Sequence, residues 1–485
     1  MALLDIKNLT FAYDYENIFE NVSFQLDTNW KLGFIGRNGR GKTTFLNLLS
    51  GKLDYQGTIS GKIRFEYFPC VIKDKTLNTL DIARLHSDFA LWQLERELSL
   101  LEVSDEVLYR PFETLSEGER TKIMLAALFL NDNGFLLIDE PTNHLDCKGR
   151  QIVSKYLQSK KGFILVSHDR AFLDNCVDHI LSINKSNIEI QKGNFSSWFY
   201  NKTLQDEYEL AGNEKIKREV KRLDKAAKKA AARSDKLESD KYGMGPVDKG
   251  YIGHKSAKMM KTSKNIERRN TNLIDEKSKL LKNIDEAEDL KIKPLKHYSQ
   301  SLISLENVDL FYGNNKVCGG INFTINQRER IALQGKNGCG KSTLLKLLCG
   351  ENIKYTGNLY KCSNLIISYV PQDASFLKGS LNDFARENKI DETLFKTILS
   401  KLDFSRGQFE KDMKSFSDGQ KKKVLIARSL CEQAHLYIWD EPLNFIDIMS
   451  RIQIENLLLK FELSIIFVEH DKAFTDTVAA KVITI

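Results

Sequence analysis

Nowhere does this chain approach the run of about 18 uninterrupted apolar residues that a membrane span requires, so a role in transport would need a separate membrane subunit. The first residues, MALLDIKNLTFAYD, lack a basic start followed by an apolar core, and no secretory signal is expected. The eight cysteines (Cys70, Cys147, Cys176, Cys318, Cys339, Cys349, Cys362 and Cys431) are scattered, with no C-x-x-C pair and no histidine cluster at zinc spacing. That pattern speaks against a disulfide framework and a zinc module, and for reduced thiols in a cytoplasmic protein.

At 485 residues the chain is too long for one core, and a hydrophobic content of 42% supports at least two packed domains. Its charge is unevenly spread. Positions 201 to 300 hold 25 lysines and arginines against 17 carboxylates, a surplus of 8 where the whole chain has a surplus of 7. A basic excess confined to one stretch points to a polyanionic partner, because cations near phosphates release counterions.

Either side of that stretch, the same motifs recur in the same order. KLGFIG, a glycine-rich turn and the apolar TTFLNLLSG read as strand, loop and helix, and FLLIDEP and FILVSHD as strands buried on both faces of a mainly parallel sheet. RIALQGKNGCGKSTLLKLLCG, LYIWDEP and SIIFVEHD repeat them. Matched positions differ by 299 to 302, as in Gly36 with Gly335, Asp139 with Asp440 and His168 with His470. So steady an offset means duplication of an α/β domain. The expected organisation is a first domain over 1–199, a basic linker over 200–298 with its tip at about 239–262, and a second domain over 299–485.

Gly36-Arg-Asn-Gly-Arg-Gly-Lys42-Thr43 and Gly335-Lys-Asn-Gly-Cys-Gly-Lys341-Ser342 both fit G-x-x-x-x-G-K-[ST]. Such loops bind phosphate. Their glycines let backbone N–H groups and a helix N-terminus face the β-phosphate, the lysine reaches β and γ oxygens, and the hydroxyl ligates Mg²⁺. The nucleotide-contacting set is therefore Gly36, Asn38, Gly39, Gly41, Lys42, Thr43 and Thr44, repeated as Gly335, Asn337, Gly338, Gly340, Lys341, Ser342 and Thr343. Asp139 and Asp440 end apolar strands, where a carboxylate can hold the Mg²⁺ water shell. Glu140 and Glu441 follow and are the candidates to orient the attacking water. His168 and His470, after the next strand, are candidates to contact the γ-phosphate.

Between the copies, Ile216, Val220, Leu223, Ala227, Ala230 and Leu237 recur at threes and fours, and Ile266, Leu273, Leu280, Ile284 and Ala287 continue the pattern after KYGMGPVDKGYIGHK. This predicts an antiparallel two-helix hairpin, with Asn201 to Glu238 as one helix of roughly 55 Å. The alternative is a plain spacer between the domains. Lys255, Lys258, Lys261, Lys264, Arg268 and Arg269 are placed to meet RNA phosphates, and Tyr242, Met244 and Tyr251 to stack or pack against bases.

Leu115-Ser-Glu-Gly-Glu-Arg120 and Phe416-Ser-Asp-Gly-Gln-Lys421 each precede an apolar helix. Here the chain resembles the ABC ATPases, whose LSGGQ signature gives a serine hydroxyl and a glycine amide to the γ-phosphate held by the opposite cassette. Ser116, Gly118, Ser417 and Gly419 match; Glu117, Asp418 and Glu119 depart from the pattern. The resemblance implies two composite ATP sites, each joining one cassette's phosphate loop to the other's signature. It also implies adenine stacking on Tyr13 and Tyr312, and metal binding by Thr43, Ser342, Asp139, Asp440 and Gln372. Cys70 stands where the first copy would carry the glutamine, so slower hydrolysis is expected at the site built on the first loop.

Two fused cassettes with a charged two-helix linker resemble the ABC-F family, soluble ATPases that bind ribosomes through that linker. The absence of iron-sulfur cysteines and of zinc modules separates the chain from the ribosome-recycling ABC-E type and the excision-repair ABC ATPase. DKGYIGHKSAKMMKTSKNIERR (Asp248 to Arg269) is similar to linkers of antibiotic-resistance ABC-F proteins. That likeness implies partners in the ribosomal exit site, 23S rRNA and P-site tRNA, and protection against lincosamides, streptogramin A compounds and pleuromutilins, with neither DNA nor a membrane involved. A housekeeping translation factor and the ATPase subunit of a drug exporter are the alternatives.

Overall fold

A computed structural model describes residues 3–13, 16–61, 63–131, 134–143, 145–184, 187–240, 292, 294–313, 315–336 and 338–485. The chain divides into two units, Met1–Trp198 with Asp289–Ile485, and Phe199–Glu288. Among the described residues no helix is long and apolar enough to cross a membrane.

The first cassette contains β1 (Leu3–Tyr13), β2 (Glu16–Asp27), β3 (Lys31–Ile35), β4 (Gln56–Ser60), β5 (Arg64–Phe68), β6 (Gly134–Asp139), β7 (Phe163–Val166), β8 (His179–Asn184) and β9 (Asn187–Lys192). An antiparallel sheet, in the order β2-β1-β4, packs over a second sheet in the order β5-β6-β7-β3-β8-β9. The larger sheet is parallel except for the final β8-β9 pair. The sequence patterns account for the difference. In β1 the residues Leu4, Ile6 and Leu9 are buried against that second sheet while their neighbours face outward. In β6 and β7 the runs FLLI and FILV are buried throughout, because both faces of the sheet are covered.

The second cassette repeats this with β10 (Ser301–Tyr312), β11 (Asn315–Asn326), β12 (Arg330–Gln334), β13 (Tyr355–Lys361), β14 (Ile367–Val370), β15 (Leu436–Asp440), β16 (Ile465–Val468) and β17 (Lys481–Thr484). Its sheets run β11-β10-β13 and β14-β15-β16-β12-β17. In each cassette the phosphate loop leaves an inner strand, β3 or β12, and the acidic residue ends β6 or β15, so all of them gather at the carboxyl edge of the parallel sheet, where open α/β sheets bind ligands. The fold is thus two tandem α/β nucleotide-binding domains, in the arrangement expected from the duplication.

The helix Phe195–Asp240 is one continuous element of 46 residues, roughly 69 Å at 1.5 Å per residue. It includes the stretch Asn201 to Glu238 anticipated as helical. The returning helix and the basic and aromatic residues assigned to the linker tip, Tyr242, Met244, Tyr251, Lys255, Lys258, Lys261, Lys264, Arg268 and Arg269, lie outside the described residues. So does the pairing of the two helices. Residues 294–300 return to the second cassette, where Leu295 N–H donates to Ala434 O and His297 Nε2 bonds Ser363 O at 3.0 Å.

Candidate functional site

The phosphate loops curl because glycine permits it at one decisive place in each. Gly41 and Gly340, at φ 91° and 96°, initiate the helices Lys42–Leu49 and Lys341–Cys349. A Cβ on Gly41 would lie 2.4 Å from Ile18 Cγ2, and one on Gly340 would lie 2.9 Å from Val317 Cγ1. The turn and the close approach therefore exclude a side chain twice over. Each loop wraps its own lysine. Lys42 Nζ donates to Gly36 O (2.7 Å), Arg37 O (3.3 Å) and Asn38 Oδ1 (3.2 Å); Lys341 Nζ donates to Gly335 O (3.0 Å) and Lys336 O (2.8 Å). Burial lowers the Lys42 ammonium's pKa, against the attraction of Asp447, Glu140 and Asp139.

The signatures open the helices Glu117–Phe129 and Asp418–Cys431, with Ser116 and Ser417 as N-caps in capping boxes. The departures at the signature positions have visible consequences. Glu117 is paired with Arg120, whose guanidinium also donates to Phe112 O and Glu113 O. Glu119 accepts from Ser116 N–H at 2.9 Å and from Ser116 Oγ at 2.8 Å, holding the serine proton on a carboxylate. Gln420 makes only the backbone half of this contact, accepting from Ser417 N–H at 3.0 Å.

Among the described residues, clefts that cross from one cassette to the other include the following two. A cleft of about 530 Å³ brings Tyr13, Asn38, Gly39, Gly41, Lys42, Thr43, Thr44, Asp139, Glu140 and His168 of the first cassette to Ser417 and Gly419 of the second. Here Asn38 Nδ2 donates to Phe445 O at 2.7 Å, and the space beside Gly419 is filled by Phe445 O and Asn38. A second cleft, of about 720 Å³, faces Gly338, Gly340, Lys341, Ser342, Thr343, Gln372, Glu441 and His470 with Ser116 and Gly118. Gly36 and Gly335 contribute through the carbonyls that hold the lysines. Asp440 is fully buried, and Tyr312 is 81% exposed and does not line the second cleft. Asn337 lies outside the described residues.

The two candidate carboxylates, Glu140 and Glu441, are held differently. Both glutamates take up left-handed backbone, Glu140 at φ 50° and Glu441 at φ 45°, a costly conformation for a residue with a side chain. Glu441 Oε2 accepts from Gln372 Nε2 (2.9 Å) and Asn444 Nδ2 (2.7 Å), and His470 Nε2 stands 3.7 Å from Oε1. Burial would raise its pKa, but His470, Gln372 and Asn444 together bring it below its ordinary value. Neither buried oxygen of Glu140 has a hydrogen-bond partner, although His168 Nε2 approaches Oε1 to 3.3 Å. Burial, then the charge of Asp139, pushes Glu140 up to about 8. His168 is driven well below its usual value by burial and by Lys42, so its imidazole is neutral. Cys70 lines a recess beside Thr43, Asp139 and Glu140, but its thiol points at Tyr67 O (3.5 Å).

The donors for a hard divalent cation are present. Asp440 has two buried oxygens without a hydrogen-bond partner and a carboxyl pushed up by burial, with Ser342 opposing. A buried, unsatisfied carboxylate beside a hydroxyl suits Mg²⁺. In the first cassette Asp139 Oδ2 accepts from Thr43 Oγ1 (3.2 Å) and from Tyr67 Oη (2.9 Å). Sequence reasoning passed over Tyr67, Asn444 and its counterpart Asn143. Their repetition in the second copy at the same offsets, Tyr67 with Tyr369 and Asn143 with Asn444, was the signal available.

The chain matches the ABC transporter family over residues 19–143 and 318–444, together more than half its length. It is 25% identical to the ATP-binding protein Uup of Buchnera aphidicola subsp. Acyrthosiphon pisum, over 99% of this chain and 80% of that one. It is 29% identical to the ribosome protection protein VmlR of Bacillus subtilis, over 98% of this chain and 85% of the relative. Among solved structures, the complex of an archaeal ribosomal stalk protein with the archaeal ribosome recycling factor aABCE1 aligns with a TM-score of 0.64 and 19% identity, covering 98% of this chain and 87% of that one. At that identity the likeness is one of fold.

Proposed function

The chain belongs to the ABC transporter family, with two ABC ATPase domains in tandem, and from that premise we propose that it is an ATPase of the ABC-F type that binds the ribosome and protects its peptidyl transferase centre from antibiotics. One observation carries the ribosomal reading. The similarity to a ribosome protection protein extends over 98% of this chain, and so runs through the basic segment between the cassettes as well as the cassettes themselves. The surplus of positive charge in that segment suits a phosphate-rich partner such as 23S rRNA or P-site tRNA.

In this reading the cassettes span 1–199 and 299–485, and the segment 200–298 is the arm they work. Nucleotide in either cleft touches both cassettes, so ATP favours the closed pair and loss of the γ-phosphate favours release. Lys42 and Lys341 bind the β and γ phosphates. Bound Mg²⁺, held through Thr43, Ser342, Asp139, Asp440 and Gln372, supplies charge neutralisation. Glu441, already ionised and aimed by Gln372 and Asn444, orients the attacking water; Glu140 has that role in the first site. Tyr242, Met244 and Tyr251 would pack against bases, and the basic run from Lys255 to Arg269 would follow RNA phosphates.

The test is sedimentation of the Glu140→Gln/Glu441→Gln protein with ribosomes and ATP. It should pellet with them, and failure to do so would sink the ribosomal reading. Expression of wild type and of a deletion of residues 243–253 in a drug-sensitive bacterium tests protection. Wild type should raise tolerance of lincosamides or pleuromutilins and the deletion should not. If neither alters susceptibility, the protein is a translation factor without a drug role.

A further inference from the structure

Arg150 and Arg451 are related by the duplication, each ten residues beyond the glutamate of its cassette, Glu140 or Glu441. Both lie near the start of a helix, Cys147–Ser159 or Ile448–Phe461, whose first turn is fixed by an N-cap aspartate, Asp146 or Asp447. Arg150 Nε donates to Leu145 O at 3.1 Å, and Arg451 Nε to Ile446 O at 2.9 Å. Each also pairs with the aspartate that follows the histidine of its own cassette, Arg150 with Asp169 at 2.9 Å and Arg451 with Asp471 at 2.8 Å. At 12% and 8% exposure, the two side chains meet little water.

Arg150 does one thing more. The same Nη1 that serves Asp169 donates to His470 O, in the second cassette, at 3.2 Å. The backbone on either side of the His470 Cα is therefore tied down from two directions. Its N–H donates to Glu469 Oε2 at 3.1 Å within its own cassette, and its carbonyl accepts from Arg150 of the other. Glu469 is fixed in turn, because its Oε1 accepts from Leu443 N–H at 2.7 Å. His470 lines the second cleft with its Nε2 3.7 Å from Glu441 Oε1, and Asp146, Gly149 and Ile152, from the segment that carries Arg150, line the same cleft. Arg451 acts across the boundary by charge: after burial and Lys42, it is the next influence driving His168 below its usual value.

A hydrogen bond from a guanidinium with little water around it is strong and directional. This one spans two cassettes, so it exists only while they are together. Displacing a group at the reacting centre by about 1 Å can cost about a hundredfold in rate. We propose that Arg150 is a positioning residue for the second composite site, acting from the opposite cassette: it ties the His470 turn to the first cassette, so that the histidine is set against the γ-phosphate only when the pair is closed. This deepens the ATPase reading and rests on its assignment of His470 to the γ-phosphate.

Steady-state phosphate release by the full-length protein, in a Glu140→Gln background that leaves the second site to be read, tests this. Arg150→Met should lower kcat about tenfold and leave the KM for ATP within about twofold, the split expected when alignment rather than binding is lost. Arg150→Met with Asp169→Asn removes both charges of the buried pair, so that no lone carboxylate is left to unfold the protein, and keeps a side chain able to cap the helix Arg170–Cys176. Its kcat should fall by the same factor. His470→Ala should lose about tenfold or more, and adding Arg150→Met to it should cost less than about twofold further, because residues that act through one another are not additive. A kcat within about twofold of the parent in both Arg150 variants would overturn the proposal. So would an Arg150→Met loss as large in the His470→Ala background as in the parent, which is the result expected of a merely structural arginine. Parental kcat in His470→Ala would refute the assignment of His470 and the proposal with it, whereas absence of phosphate release from the wild-type chain would refute the ATPase reading itself.

Discussion

Replacing Glu140 and Glu441 one at a time by glutamine tests the general-base role proposed for each, through the ionisation of the two carboxyls. Glu140 is buried without a hydrogen-bond partner and pushed up to about 8, so that about one in ten is ionised at pH 7. Glu441 is brought below its ordinary value, burial being outweighed by His470, Gln372 and Asn444, and is ionised throughout the neutral range. If water attack needs the carboxylate, the first site works at about a tenth of the second's rate at pH 7. Steady-state phosphate release should then fall to about a tenth in Glu441→Gln and stay at about nine tenths in Glu140→Gln. Between pH 7 and pH 9 the residual activity of Glu441→Gln should climb about tenfold, while that of Glu140→Gln stays flat. Equal losses from the two substitutions, or a residual activity in Glu441→Gln indifferent to pH, would refute the reasoning.

Cys70→Gln in the Glu441→Gln background puts an amide where its counterpart Gln372 reaches Glu441 at 2.9 Å; first-site phosphate release should rise about three- to tenfold, and an unchanged rate in a folded protein would count against the role given to that position. Glu119→Gln keeps an acceptor for the Ser116 N–H, as Gln420 is for Ser417, while removing a negative charge from the second cleft. Its ATP affinity, read by fluorescent nucleotide titration, should tighten about two- to fivefold, with stability changed by less than about 0.5 kcal/mol. Glu140→Gln also tests linkage in the nucleotide-free protein. A carboxyl raised from 4.5 to about 8 on folding costs nothing below its unfolded value, costs more as pH climbs between the two, and costs its full amount above about 8. The substitution should therefore stabilise the protein at pH 8.5 by on the order of 2–4 kcal/mol, and by much less at pH 5, in thermal melts. A gain of the same size at both pH values would contradict the assignment of Glu140.

Much of the site was legible beforehand because its chemistry is local. Gly41-Lys42-Thr43 and Gly340-Lys341-Ser342 need only their neighbours to form a loop that opens a helix, and FLLID and LYIWD need only a run of apolar residues to end a buried strand on an aspartate. The duplication was legible as a steady offset. In the sequence the signature carboxylates Glu117 and Glu119 stand only as departures from the family pattern. In the fold Glu117 is answered by Arg120, and Glu119 caps its own helix.

Residue types and short spacings thus determined, without coordinates, that this is a pair of α/β phosphate-binding domains around a basic segment, because turn, helix and strand chemistry acts over a few residues. Tertiary structure alone decided which loop meets which signature, which glutamate is held ionised by Gln372 and Asn444 and which is left buried without a partner, and which charges meet between the cassettes, as Arg37 does Asp403 and Arg170 does Glu455. Those outcomes depend on desolvation and on charges brought together from distant parts of the chain, and neither is a property of any stretch of sequence taken by itself.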